Sequence, residues 1–469
     1  MSVQDQAPEA EQPVFSFLKG AEDAVAPKDT AGFDWDQAAL KVREHLNEAM
    51  NARNVAFLLG SGCSSLEVGG QQVGIPTMKP LATAFIKTVG EDDNSHFLTA
   101  DERQALTDQV GLNVFAKPYT SNLENLMEVL YSLQFVLERT GTNVEGDSEG
   151  EEDSEGEEGS EGEEGSEDAE DKQDNSAALA TVQSCISKVT AYILHSCTAG
   201  AFSEGDNRVA HLYAAFYRRL IYRDRALPRP WVFTTNYDLF NETAMDRLGI
   251  AYANGFSGTV ERRFNPATFR YSLAEQLDIS SRKWSAVDSF VYLCKLHGSV
   301  NWIEGTESLF PVQEMQHPPE SGDARIMIYP TPAKQNASFA SPYSDLFREF
   351  QKNVVRDQSV LFCVGYSFSD EHVNNIIFQA LTIPTFRLVA FVPPDAGEIV
   401  EKLRALDDPR IWLIGGDGPE AGRKAHYFDT VIERFMPEPP GDRVDTALAK
   451  VLGSLISPPK GDAEQDDGS

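Results

Sequence analysis

Four short stretches of the chain combine residue types that handle phosphates, sugars and protons. They are Gly60-Ser61-Gly62-Cys63-Ser64, Asn236-Tyr237-Asp238, His297-Gly298-Ser299 and Gly365-Tyr366-Ser367, and each follows an apolar run: NVAFLL, WVFTT, YLCKL and LFCV. Glycine lets backbone amides come close to a pyrophosphate, and the start of a helix adds partial positive charge. Hydroxyls, an amide and an imidazole are the groups that position a sugar and move its protons. In an open parallel sheet, ligands bind where strands end and helices begin, so four such loops would converge on one crevice. One GxG turn after a strand often serves packing alone. Four polar strand ends together point to a bound dinucleotide.

The elements that must position these loops follow from hydrophobic spacing. Residues 34–51 have helical periodicity, 54–59 read as a buried strand, and 123–138 form an amphipathic helix with Ser121 or Asn122 placed as its cap. Helices are expected again at 177–198 and 208–223. Strands are expected at Trp231 to Thr234, Val291 to Leu296, Val360 to Val364, Arg387 to Val392 and Ile411 to Ile414. Several of them are continuously apolar, the mark of a parallel sheet covered on both faces. The expected class is α/β: a doubly wound, mostly parallel Rossmann-like sheet with helical insertions and a disordered acidic loop.

Composition narrows the function. The 469-residue chain carries a formal charge of −33. From Glu145 to Asp174 there are 17 acids and one lysine, about half of that charge, with a Ser-Glu-Gly-Glu-Glu unit starting at Ser148, Ser154 and Ser160. Such a segment repels itself and has nothing to bury, which predicts a solvated loop. The remainder is acidic too, so direct nucleic acid binding is not expected. No CxxC pair occurs among Cys63, Cys185, Cys197, Cys294 and Cys363, which argues against structural zinc and against a disulfide framework. No apolar run of about 18 residues is evident, and the N-terminus MSVQDQAPEAEQP is unlike a signal peptide, so a cytoplasmic protein without membrane contact is expected.

Read in order, the motifs also carry a family resemblance. Gly60-Ser61-Gly62-Cys63-Ser64 with Gly74-Ile75-Pro76 beyond it, Thr234-Thr235-Asn236-Tyr237-Asp238, and His297-Gly298 resemble the sirtuin GAG-hydrophobe-S loop with its GIP, the T-x-N-x-D strand end and the H-G. Gly365-Tyr366-Ser367-Phe368-Ser369-Asp370 is similar to the distal nucleotide loop of the zinc-free bacterial branch found in antiviral defence systems. The chain resembles that branch, whose members pair with a HerA-type DNA translocase or with a short Argonaute system; the first is the preferred expectation.

The resemblance implies NAD as substrate, no zinc, and cleavage of the nicotinamide–ribose bond. It gives Asn236 the positioning of water or a ribose hydroxyl and His297 the role of base. Gly60, Ser61, Gly62, Cys63, Ser64, Pro76, Thr235, Asp238, Gly365 and Ser367 become candidate NAD contacts, with Asp238 orienting ribose hydroxyls or its own loop. A homo-oligomer and a translocase partner are implied as well. Departures count equally: the four-cysteine ribbon is missing, Met78 and Lys79 stand where deacylases carry Phe and Arg, and the interval from Asn236 to His297 is long. These favour NAD hydrolysis over protein deacylation or ADP-ribosyl transfer, with an NAD or ADP-ribose sensor as the non-catalytic alternative. The expected organisation is a tail at 1–30, a sirtuin-like domain in two parts, 31–144 and 176–456, an acidic insertion at 145–175, and a tail at 457–469.

Overall fold

The computed structural model describes residues 15–26, 33–142 except 70 and 93, 167–202, 206–278, 283–305, 312–319, 326–328 and 341–439 except 421. Its centre is a nine-stranded sheet. In chain order the strands are β1 (Phe15–Lys19), β2 (Glu22–Asp23), β3 (Asn54–Leu59), β4 (Trp231–Thr234), β5 (Ala251–Ala253), β6 (Phe290–Lys295), β7 (Ser359–Val364), β8 (Arg387–Phe391) and β9 (Ile411–Gly416). Across the sheet they run β2-β1-β9-β8-β7-β3-β4-β6-β5. All seven from β3 onward pair in parallel, and only β1 and β2 are antiparallel. The doubly wound reading therefore holds, with the order reversing between β3 and β7.

Strand residues divide by a period of two. Val55, Phe57 and Leu59 of β3 join one buried cluster, and Ala56 and Leu58 join the other. Strand β7 does the same, with Val360, Phe362 and Val364 on the first side and Leu361 and Cys363 on the second. Because both faces are covered, every residue of β3 and of β7 is buried. This is why these strands are apolar without alternation.

Two expectations about organisation need correction. Residues 15–26 are not part of a loose tail: β1 pairs along its whole length with β9, and the Phe17 ring packs edge-on against Trp412 at 5.5 Å. A five-residue strand is too short to register as a signal in sequence, yet it buries two aromatics, Phe15 and Phe17. The helix expected at 177–198 spans Glu167–Phe202, so residues 167–175 of the acidic insertion are helical. The helix formers Glu, Ala, Lys and Gln in that stretch favour this once the rest of the helix is docked. The remainder of the insertion, and the tail at 457–469, lie outside the described residues.

Part of that helix, Asp174–Thr198, is long and apolar enough to cross a membrane by length and composition, contrary to the sequence reading. Its window is 44% buried within the fold, through side chains that include Val182, Cys185, Val189 and Ile193.

The long interval before His297 and the residues after it build a second, antiparallel sheet. Its strands lie in the order Ile326–Ile328, Gly298–Glu304, Val312–Glu314, Arg262–Phe264 and Phe256–Ser257. Strand β6 runs into Gly298–Glu304 through a two-residue corner, and the corner's second residue is His297.

Candidate active site

The loops after β3 and β7 touch backbone to backbone. A Cβ on Gly60 would sit 2.4 Å from the carbonyl oxygen of Gly365, and one on Gly62 would sit 2.9 Å from the Gly365 Cα. Gly365 itself has φ +62°, in the left-handed region that favours glycine. These glycines therefore close the switch point of the sheet. In the first loop the Gly60, Gly62, Cys63 and Ser64 N–H groups are spent within the protein, donating to the Val364, Gly365, Gly60 and Ser61 carbonyls. The cleft-lining residues of this region include Ser61, Ser367 and Ser369, which bring hydroxyls.

The cleft above the switch point encloses about 1010 Å³, its open mouth included. Thr235, Asn236, Asp238 and His297 line it together with Pro76, Gly365 and Ser367. Gly60 and Gly62 support it from below. Cys63 does not reach it: the side chain is fully buried, its Sγ donates to the Val364 carbonyl at 3.2 Å, and burial followed by the Asp238 charge pushes the thiol well up. A contact between the Cys63 side chain and NAD is excluded by this packing.

Asn236 is held from two sides. Its Nδ2 donates to the Gly60 carbonyl at 3.0 Å and to Ser64 Oγ at 2.9 Å. With both amide hydrogens used, Oδ1 is the end that Asn236 offers the cleft. Ser64 in turn donates to Asp238 Oδ2 at 2.6 Å and meets the Tyr213 hydroxyl at 3.0 Å. Its hydroxyl is consumed, so Ser64 orients Asn236 and leaves no donor for a ligand. Asp238 is 2% exposed and also accepts from the Phe240 amide at 3.0 Å, so of its two expected roles the structure supports the ordering of its own loop. Burial raises its carboxyl, against the opposing pull of Lys295 and Ser64.

Lys295, 1% exposed at the end of β6, ties this loop to the second sheet. Its Nζ lies 3.1 Å from Glu242 Oε1, donates to Ser299 Oγ at 2.7 Å and reaches the Tyr237 carbonyl at 3.2 Å. The Ser299 hydroxyl continues the chain to Asn301 Oδ1 at 2.7 Å.

His297 is 4% exposed, and its Nε2 lies 2.9 Å from Asp370 Oδ2. Asp370 also caps the helix Glu371–Leu381 by accepting from the Val373 amide at 3.0 Å. Burial pushes the Asp370 carboxyl up, but the His297 hydrogen bond and charge, with the Val373 amide, hold it down at about 2. A depressed carboxyl gives stability that is complete above the ordinary value near 3.9 and is lost as pH falls through the folded value. Melting temperatures of wild type should therefore fall between about pH 4 and pH 2 more steeply than those of Asp370→Asn. Parallel acid limbs in the two proteins would show that the pair contributes nothing.

Sequence reasoning missed Asp370, Tyr213, Lys295, Asn122 and Glu124. Asp370 carried a signal, since Asp directly before a helix is a capping pattern. Tyr213 carried none, because nothing local says which face of its helix meets Ser64. Asn122 was read only as a cap, which it is: its Oδ1 accepts from the Glu124 amide at 2.8 Å. That both residues line the cleft depends on how the helix Leu123–Thr142 is docked.

Among the described residues no three His, Cys, Asp or Glu side chains gather as a metal site. No curated protein matches the chain. Residues 230–412, from the entry of β4 to the second residue of β9, match the family model of the SIR2-like domain, and this stretch carries Asn236, His297 and the Gly365–Asp370 loop.

Proposed function

We propose that this protein hydrolyses NAD at the bond between nicotinamide and ribose. A SIR2-like match fits NAD-related activity in general. The observation that carries the specific reading is that Asn236 and His297 line one cleft and each is oriented by a second polar group, Ser64 for Asn236 and Asp370 for His297. Ser61, Ser367 and Ser369 line the cleft with hydroxyls suited to phosphate and ribose oxygens.

In this reading Asn236 Oδ1 accepts a hydrogen bond from the attacking water and fixes its lone pair toward the ribose C1′. The C1′–N bond breaks, its electron pair neutralises the pyridinium ring, and the water oxygen bonds to C1′. His297 takes the water's proton, and Asp370 stabilises the imidazolium so formed, as a carboxylate does in other Asp–His pairs. The products are ADP-ribose, nicotinamide and a proton. The missing ribbon and the Met78–Lys79 departure favour water over an acyl-lysine acceptor. The proposal extends to NAD depletion in antiviral defence, in a cytoplasmic homo-oligomer working with a HerA-type translocase; here the support is the motif resemblance.

The test is the time course of NAD loss and nicotinamide release by the purified full chain, alone and mixed with candidate partners. Stoichiometric release of nicotinamide and ADP-ribose supports hydrolysis. Binding of NAD without turnover under any of these conditions would leave a sensor in its place.

A further inference from the structure

Parallel strands all begin at one end of the sheet, opposite the cleft, and that end is marked by arginine. Arg53 precedes β3, Arg225 and Arg229 precede β4, Arg387 opens β8 and Arg410 precedes β9. These five line two open hollows of about 790 and 1130 Å³, mouths included, which share Asn51, Arg53 and Gln358 and so form one groove. Among the described residues Glu48 is the one acid lining it, in a chain of formal charge −33.

A cation here has an ordinary explanation, since helices end at this side and their last carbonyls attract positive charge. Arg223 fits it: Nε donates to the Met50 carbonyl at 3.0 Å, and Nη2 to the Arg53 carbonyl at 2.9 Å. Arg410 is likewise spent, on Asp408 and on the Ile383 carbonyl. The other four are not. Arg53 is exposed and has no ion pair among the described residues. Arg225 and Arg229 share the single carboxylate of Asp288, at 2.9 and 3.0 Å, and the Arg225 side chain is 82% exposed. Arg387 lies over the Trp412 ring at 4.4 Å and reaches Glu48 only at 4.0 Å. Positive charge therefore exceeds its partners along the groove, and guanidinium forks are suited to carboxylates.

The chain itself holds the complementary charge. Residues 145–166 lie outside the described residues; their sequence has 12 acids and no Lys or Arg. They belong to the connection between Thr142 and Glu167, whose length lets it reach about 40 Å out and back. Tethering gives such a segment an effective concentration of about a millimolar, against which any free anion must compete. We propose that the 145–166 segment docks by its carboxylates in the arginine groove of its own chain and keeps other polyanions out of it. The pairing is independent of what the cleft binds.

The probe is a fluorescent peptide of residues 145–166, titrated by anisotropy into three full-length proteins. They are wild type, a variant in which each Glu of 145–166 is replaced by Gln and each Asp by Asn, and that neutralised variant with Arg53→Glu and Arg225→Glu added. Both arginines are exposed, so the fold should survive, which a melting curve checks; Arg53→Gln with Arg225→Gln takes their place if it does not. The neutralised variant should bind the peptide, with an affinity that falls as salt rises. Wild type should bind it about tenfold more weakly, its own segment being in place. The arginine changes should also cost about tenfold. Equal binding by wild type and the neutralised variant, or binding that ignores the arginine changes, overturns the proposal. Protection that disappears when wild type is diluted overturns it too, by assigning the groove to the segment of a second copy. So does a single-stranded oligonucleotide that binds wild type as tightly as the neutralised variant, which would make the groove a nucleic-acid site.

Discussion

Asn236→Ala should lower NAD cleavage by a factor of about 10²–10³, the usual loss when one preorganised polar group is removed from a reaction centre. The structure says why the effect should be this large. The amide is pinned by Gly60 and Ser64 at 3.0 and 2.9 Å, so Oδ1 is aimed before substrate arrives, and water in the vacated space has no such fixed direction. Two buried hydrogen bonds are lost as well, which costs about 1–3 kcal/mol of stability, small enough to leave a folded protein. Asn236→Asp is the sharper variant: it keeps size but replaces the Nδ2 donor by an oxygen facing the Gly60 carbonyl, so it should be as inactive and less stable. Nicotinamide release at saturating NAD, beside a melting curve, checks both. Turnover within tenfold of wild type in a folded Asn236→Ala protein would remove Asn236 from the mechanism.

Lys295→Met should destabilise the chain by about 3–5 kcal/mol, because it leaves Glu242 with its charge buried and its ammonium partner gone. Lys295 and Glu242 are 1% and 8% exposed, and burial already raises the Glu242 carboxyl against the pull of Lys295. The same ammonium holds Ser299 and the carbonyl of Tyr237, so its loss should also loosen the loop that carries Asn236. Removing both charges in Lys295→Met with Glu242→Leu should recover much of the loss, since a buried pair replaced by apolar groups is often neutral. Urea midpoints of the two single variants and the double variant close the cycle. A cost under about 1 kcal/mol for Lys295→Met would mean that the pair is better solvated than its burial indicates.

The positions of strands and of the polar ends that follow them were settled by the sequence itself. An unbroken run such as NVAFLL can be buried on both faces only inside a covered parallel sheet, and Trp231–Thr234 was legible to the residue for the same reason. Glycine at 60, 62 and 365 likewise marked a place where backbones meet, because no other residue tolerates that approach. The sequence did not say what they meet. They meet each other, and so the Gly60 and Gly62 amides are spent on the facing loop's carbonyls. Which polar groups are open to the cleft and which are spent on their neighbours was decided only by tertiary packing: Ser64 and Asp238 line the cleft but are bonded to each other, and Cys63 turns inward. The strand Phe15–Lys19, the second sheet around His297 and the helical wall with Asn122 and Glu124 arise from contacts between residues far apart in the chain, and such contacts leave no local pattern to read.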